Sequence, residues 1–263
     1  MSASSFLSVV TGGSSGIGQA CASQLRARGD RVVIVDLSTG RRPVEPDLAG
    51  LPFHACDVAD ESAVREAVER IEREHGPVDV LVNSAGIIQP KLAPESLDMA
   101  LWDKIMAVDL RGSYLCCVAF GRRMARRGRG SIVNIASIAG SRSVPLHTYA
   151  PAKAAVISMT RCLATEWGRS GVRVNSVSPG YTLTPALQAA IDRGDRNPRD
   201  LTEPTALGRM VLPQEVAAAV AFLASDAAGA VTGVDLPVDA GWLVGTPWQT
   251  YGGISPARAE GED

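Results

Sequence analysis

Only three histidines and five cysteines occur in 263 residues. The cysteines, Cys21, Cys56, Cys116, Cys117 and Cys162, are odd in number and scattered. No C-x-x-C is present, and no His/Cys group has zinc spacing. No metal site is therefore expected, and the thiols read as reduced and inert, in a reducing compartment. No apolar run reaches the roughly 20 residues that span a bilayer. The opening MSASSFLSVVTGG has no basic region, and its short apolar stretch stops at glycines, so no secretory signal is expected. Neither sign of charge dominates. The net charge of −2 argues against nucleic acid as a partner. Internal repeats and domain linkers are also missing. The expectation is one cytoplasmic domain over residues 1–263, a length that open α/β sheets commonly reach as a single unit.

What is present is an alternation of short apolar runs with longer amphipathic segments. Residues 6–10, 31–35, 52–55, 79–82, 132–135, 172–177 and 234–238 read as strands. Residues 16–28, 60–74, 102–127, 148–167 and 213–224 read as helices, the second with Val64, Ala67, Val68 and Ile71 on one face. Strand followed by helix, repeated, predicts an α/β fold: a doubly wound, Rossmann-like parallel sheet between two helical layers. The stretch STGRRPVEPDLAG at 38–50 reads as loop, and the chain beyond Gly252 as a mobile tail.

The first strand runs through TGGSSGIG at 11–18 into a helix. Gly12, Gly16 and Gly18 permit a tight turn and close approach of a pyrophosphate, and the helix start offers unpaired N–H groups and a positive dipole end. Alone, this could be a plain glycine-rich turn. Asp36, at the end of the next strand, adds a second feature. A carboxylate there accepts the hydroxyls of an adenosine ribose and repels a 2′-phosphate, which favours NAD over NADP. Ser15 agrees, because no basic residue stands inside the loop. Arg41 and Arg42 argue the other way, since they could reach a 2′-phosphate. Asp36 alone could be an ordinary strand-end acid.

Tyr149 and Lys153 (YAPAK) stand four apart on a helix and share one face. A free phenol titrates near pH 10, and lowering that by about three units requires roughly 4 kcal/mol of differential stabilisation. An ammonium and a cationic nicotinamide ring nearby could supply it, making Tyr149 a general acid/base. Ser137 ends a strand run (SIVNIAS), where parallel sheets gather ligands. Its hydroxyl could hold a substrate oxygen. The pair and the serine could each also be incidental.

Several motifs now agree in order: TGGSSGIG at 11–18, Asp36, CDV at 56–58, NSAG at 83–86, Ser137, YAPAK at 149–153 and SPGYTLTP at 178–185. Together they resemble the short-chain dehydrogenase/reductase family, in its single-domain branch of about 250 residues, over nearly the whole chain. The resemblance implies that Ser137 orients the substrate oxygen, that Tyr149 is the acid/base, and that Lys153 binds the nicotinamide ribose and tunes Tyr149. It implies cofactor contacts from Gly12, Ser14, Ser15, Gly16, Ile17, Gly18, Asp36 and Leu37. Asp57 and Val58 would flank the adenine, and Asn83, Ala85 and Gly86 its ribose side. Pro179, Gly180, Thr182 and Thr184 would face the nicotinamide. A homotetramer is the usual assembly. One position departs from the pattern. In AVDLRGSY, Asp109 stands where the family usually has Asn, a residue that stabilises a helix kink whose carbonyl serves the proton relay. Activity is expected to survive if the backbone carbonyl is the working group.

Substrate contacts are expected from the loops above the strand ends: Gln89, Arg142, His147, Tyr181 and the stretch 186–207, read as a lid. That stretch is charged and poor in aromatics, which points to a small polyhydroxylated or hydroxy-acid substrate; its charges could equally face solvent. His147 could meet a substrate hydroxyl or lie at the surface. The arginines at 122, 123, 126, 127 and 129 suit a solvated helix end, although an acidic carrier of a 3-oxoacyl group could use them. The aromatic extension within 243–263 is expected at the pocket rim or against a neighbouring subunit. The leading expectation is an NAD-dependent dehydrogenase of a sugar, polyol or hydroxy acid. A 3-oxoacyl or other ketone reductase, and a non-catalytic NAD-binding protein, are the alternatives.

Overall fold

The computed structural model describes residues 6–37, 48 and 50–255. Arg41 and Arg42, most of the 38–50 loop and the end of the tail lie outside the described residues. Seven strands form one sheet: β1 (Leu7–Thr11), β2 (Arg31–Asp36), β3 (Phe53–Ala55), β4 (Val80–Asn83), β5 (Gly130–Ile135), β6 (Val172–Pro179) and β7 (Asp235–Val238). Their order is β3-β2-β1-β4-β5-β6-β7, and every pairing is parallel. The chain moves outward from β1 to β3, then returns to place β4 on the other side of β1. The crevice at the carboxyl ends of β1 and β4 is therefore the topological switch point, where such sheets bind ligands.

Both faces of the five inner strands are dry, which explains their near-continuous apolar runs. Adjacent residues point to opposite sides. Val9, Val33, Val35, Leu81 and Ile132 enter one core, with α2 (Glu61–His75), α4 (Ser113–Arg127) and α5 (Tyr149–Gly168). Val10, Val32, Ile34, Val82 and Val133 enter the other, with α1 (Gly16–Ala27) and α8 (Pro213–Leu223). Cys21, Cys56, Cys116 and Cys117 are buried in these layers. Burial pushes the Cys21 and Cys117 thiols up to about 12 and Cys56 up to about 11, so they stay protonated.

Helix ends follow local chemistry. Asp60 accepts from the N–H groups of Ser62 (2.8 Å) and Ala63 (3.1 Å) to start α2. Gly76, at φ 92°, stops it. The helix expected over 102–127 is longer and interrupted. It comprises α3 (Met99–Ile105), a π-helical segment at Met106–Gly112, and α4. Gly112 is required there, because a Cβ on it would lie 2.8 Å from Cγ2 of Val58. Three short helices have no counterpart in the sequence reading: α6 (Pro185–Asp192), α7 (Pro198–Thr202) and α9 (Trp242–Gly245). They bury only Leu201 and Gly245, too little for an apolar stripe to form. Among the described residues, no helix is long and apolar enough to cross a membrane.

Candidate active site

The turn between β1 and α1 takes its shape from three glycines. Gly12 (φ 65°) and Gly16 (φ 55°) have left-handed backbones. A Cβ on Gly18 would lie 2.2 Å from the Gly12 carbonyl oxygen, so the helix starts directly against the strand end. Gly16 faces Thr184 across the cleft, since its Cβ would stand 3.5 Å from the threonine methyl. Asp36, at the tip of β2, accepts from Ser14 N (3.0 Å) and Leu37 N (2.8 Å). The Ser14 hydroxyl is buried with no partner in the protein. Ser15 takes the N-cap position of α1 with its side chain unused for capping. Dipole, orphan hydroxyl, absent side chains and ribose-side acid together fit a dinucleotide.

A second group lies at the ends of β4 and β5. Lys153, on α5, is buried, and its Nζ donates to the Ile135 carbonyl (3.0 Å). The same nitrogen stands 3.3 Å from Oδ2 of Asp109 and 5.5 Å from the centre of the Tyr149 ring. Asp109 is fully buried on the π-helical segment, and its Oδ1 accepts from Ile87 N (2.9 Å). Its main-chain carbonyl accepts from the Ser113 hydroxyl (2.9 Å). The departure from the family residue thus sets a carboxylate against the lysine itself. Burial pushes the Asp109 carboxyl above the usual carboxylate range, against the pull of Lys153 and of the Ile87 N–H. Burial lowers the Lys153 ammonium, but Asp109 and Tyr149 outweigh it and the net shift is upward. Gly86 lies over this pair; a Cβ there would be 3.1 Å from Oδ2 of Asp109. Ser137 is nearly buried just past β5, with its hydroxyl accepting from Ala139 N (3.1 Å). Its turn packs on α5, where a Cβ on Gly140 would meet the Lys153 backbone at 2.8 Å.

Several residues expected at the site are held by bonds within the protein. Gln89, expected at the substrate, is buried, with its Nε2 unpartnered in the protein. Its Oε1 accepts from Thr148 N (2.7 Å) and Tyr149 N (3.3 Å), tying down the start of α5. The Asn83 side chain turns inward, donating to Oδ1 of Asn134 (2.9 Å) and contacting Sγ of Cys117 (3.2 Å), because the polar end of β4 needs partners beneath the sheet. Val58 is core, packed under Gly112, whereas Asp57 is exposed and accepts from Ala59 N (2.9 Å). Thr182 is buried and donates to the Gly180 carbonyl (3.0 Å). Thr184 caps α6 through Leu187 N (3.3 Å). His147 and Tyr181 are half-buried, and Tyr181 meets Trp242 edge-on at 6.0 Å. Gln89 is the role that sequence reasoning missed: only the fold brings residue 89 beneath residues 148 and 149.

Residues 12–243 match the family model described as enoyl-(acyl carrier protein) reductase. The D-threitol dehydrogenase of Mycolicibacterium smegmatis is 42% identical over 90% of this chain and 93% of its own. The cis-4-hydroxycyclohexanecarboxylate dehydrogenase of Sinomonas cyclohexanicum is 42% identical over 90% and 96%. Among solved structures, one described as a ribose-5-phosphate isomerase from Brucella melitensis 16M has 48% identity and a TM-score of 0.92, covering 96% of this chain and 98% of that one. With the parallel sheet and its switch-point cleft, these matches identify the chain as a member of the short-chain dehydrogenase/reductase family, an oxidoreductase of secondary alcohols and their carbonyls that works with a nicotinamide cofactor.

Proposed function

We propose that the chain is an NAD-dependent dehydrogenase of a small secondary alcohol, with a polyol, sugar or hydroxy acid favoured, and that Tyr149 is its acid/base. The observation that carries this reading is the buried Lys153 ammonium 5.5 Å from the Tyr149 ring. Beside that ammonium, the Tyr149 oxygen takes the hydroxyl proton of the alcohol. Ser137 orients the alcohol oxygen. Gln89 is a positioning residue, fixing the backbone from which Tyr149 projects. Gly12 to Gly18 and Ser14 hold the pyrophosphate, and Asp36 the adenosine ribose; the lysine side chain also reaches the nicotinamide ribose. The bound nicotinamide supplies the hydride acceptor. Asp36 supports NAD, since its charge opposes a 2′-phosphate.

The substrate class is supported by the polar, aromatic-poor segment 186–207, proposed as the lid, and by the activities named for the two dehydrogenases above. The reductase alternative with an acidic carrier is weakened by ion pairs: Arg123 and Arg127 both bind Glu72 (3.0 and 2.9 Å), and Arg129 binds Asp79 (2.9 Å). A homotetramer in a reducing cytoplasm belongs to the same proposal.

The test is a screen of purified protein with NAD and NADP against polyols, sugars, hydroxy acids and simple secondary alcohols. NAD reduction is expected with a polyol or hydroxy acid, and Tyr149→Phe should lose at least about a hundredfold in kcat, the usual contribution of general acid–base catalysis. Tight NAD binding without turnover of any alcohol would instead favour a non-catalytic role. The isomerase described for the Brucella protein gives a second reading, tested by ribose 5-phosphate conversion without net NAD reduction.

A further inference from the structure

Two of the three histidines meet far from the catalytic cleft. His54 is on β3, the edge strand, and His75 is the last residue of α2. Their Nε2 atoms stand 3.2 Å apart. Oε2 of Glu74 lies 3.7 Å from the first and 3.9 Å from the second. The other carboxylate oxygen, Oε1, is held by Nε of Arg70 at 2.9 Å, which leaves Oε2 turned towards the imidazoles. Edges of 3.2, 3.7 and 3.9 Å set the point equidistant from the three atoms about 2.1 Å from each, a zinc–nitrogen or zinc–oxygen bond length.

We propose that His54, Glu74 and His75 bind one zinc-class divalent transition metal, which clamps the edge strand β3 to the end of α2. The donor set of two imidazoles and one carboxylate suits zinc, and by ligand type nickel and copper(II) as well, whereas magnesium demands oxygen ligands. Without metal, one Nε2–H donates to the other ring nitrogen. On metal entry that ring takes its Nδ1–H tautomer, and each neutral imidazole then offers its Nε2 lone pair to the common centre. His54 is buried at 6% exposure while Glu74 is open to solvent at 39%, so the site is anchored on one side and accessible on the other. The carboxyl-terminal end of α2 adds a negative dipole towards the cation. β3 is an edge strand and lies four strands from β5, so the clamp acts on the stability of the sheet edge.

The experiment uses untagged, full-length protein stripped with EDTA, then dialysed against low-micromolar zinc chloride and analysed for bound metal. Wild type and His147→Gln should each hold one zinc per chain. His75→Gln should bind more than about tenfold more weakly, as should His54→Gln. Zinc should raise the Tm of wild type and leave that of His75→Gln unchanged. Circular dichroism checks the fold of each variant. If His54→Gln does not fold, the more exposed Glu74→Gln takes its place in the comparison. The proposal fails if wild type retains no stoichiometric zinc, if both histidine variants bind as well as wild type, or if magnesium gives the same rise in Tm.

Discussion

At the scale of single residues, Asp109 is the most consequential position. A carboxylate 3.3 Å from Lys153 completes a buried ion pair in which each charge needs the other. Replacing Lys153 by Met is expected to cost about 3–5 kcal/mol in chemical denaturation, because Asp109 is then buried unpaired. Asp109→Asn should be milder, since the amide can still accept from Ile87 N. It removes the carboxylate that raises the Lys153 ammonium, so the ammonium should titrate lower in the variant. The pH profile of kcat/KM for alcohol oxidation should therefore move to lower pH. A profile that does not move would separate Asp109 from the proton relay and leave it a purely structural partner of Lys153.

At the scale of elements, helix starts carry chemistry that apolar periodicity does not report. Glu215, in the first turn of α8, accepts from Leu212 N (2.8 Å) and forms a two-pronged pair with Arg209 (2.8 and 2.7 Å). The hydrogen bonds from Arg209, and next the Leu212 N–H, hold its carboxyl down at about 2. A folded-state value below the unfolded one contributes stability above the ordinary glutamate range, and that contribution is lost as pH falls through it towards about 2. Glu215→Gln should thus cost about 1 kcal/mol at neutral pH, solvent screening keeping it at the level of a helix cap. The gap between wild type and variant should narrow in denaturation curves taken down to about pH 3. The π-helical segment is a similar case. Its sequence, MAVDLRG, continues an ordinary helical pattern, and only packing under Gly112 and the burial of Asp109 set it apart.

At the scale of the whole molecule, an aromatic patch stays uncovered in the single chain: Val244, Trp248 and Tyr251 are exposed, Tyr251 at 89%. Just before this segment, Trp242 packs edge-on against Tyr181. The double substitution Trp248→Ser, Tyr251→Ser is expected to lower the oligomeric mass in light scattering while the fold persists; an unchanged mass would place the subunit interface elsewhere. The order of strands and helices, the glycine turn and the Asp36, Tyr149 and Lys153 positions were legible in the sequence, because each depends on local spacing: period 2 or 3.6, a missing Cβ, or one helical turn. The fates of Gln89 and Asn83, the Lys153–Asp109 contact and the His54–His75 meeting were not. Each joins residues far apart in sequence through sheet order and helix docking, and no local pattern encodes which buried polar atom finds which partner. The chain's own periodicity determined the fold, and its ordered motifs, through the family they resemble, the reaction class; the tertiary structure alone decided which buried polar atoms pair with which, because those partners lie far apart in sequence.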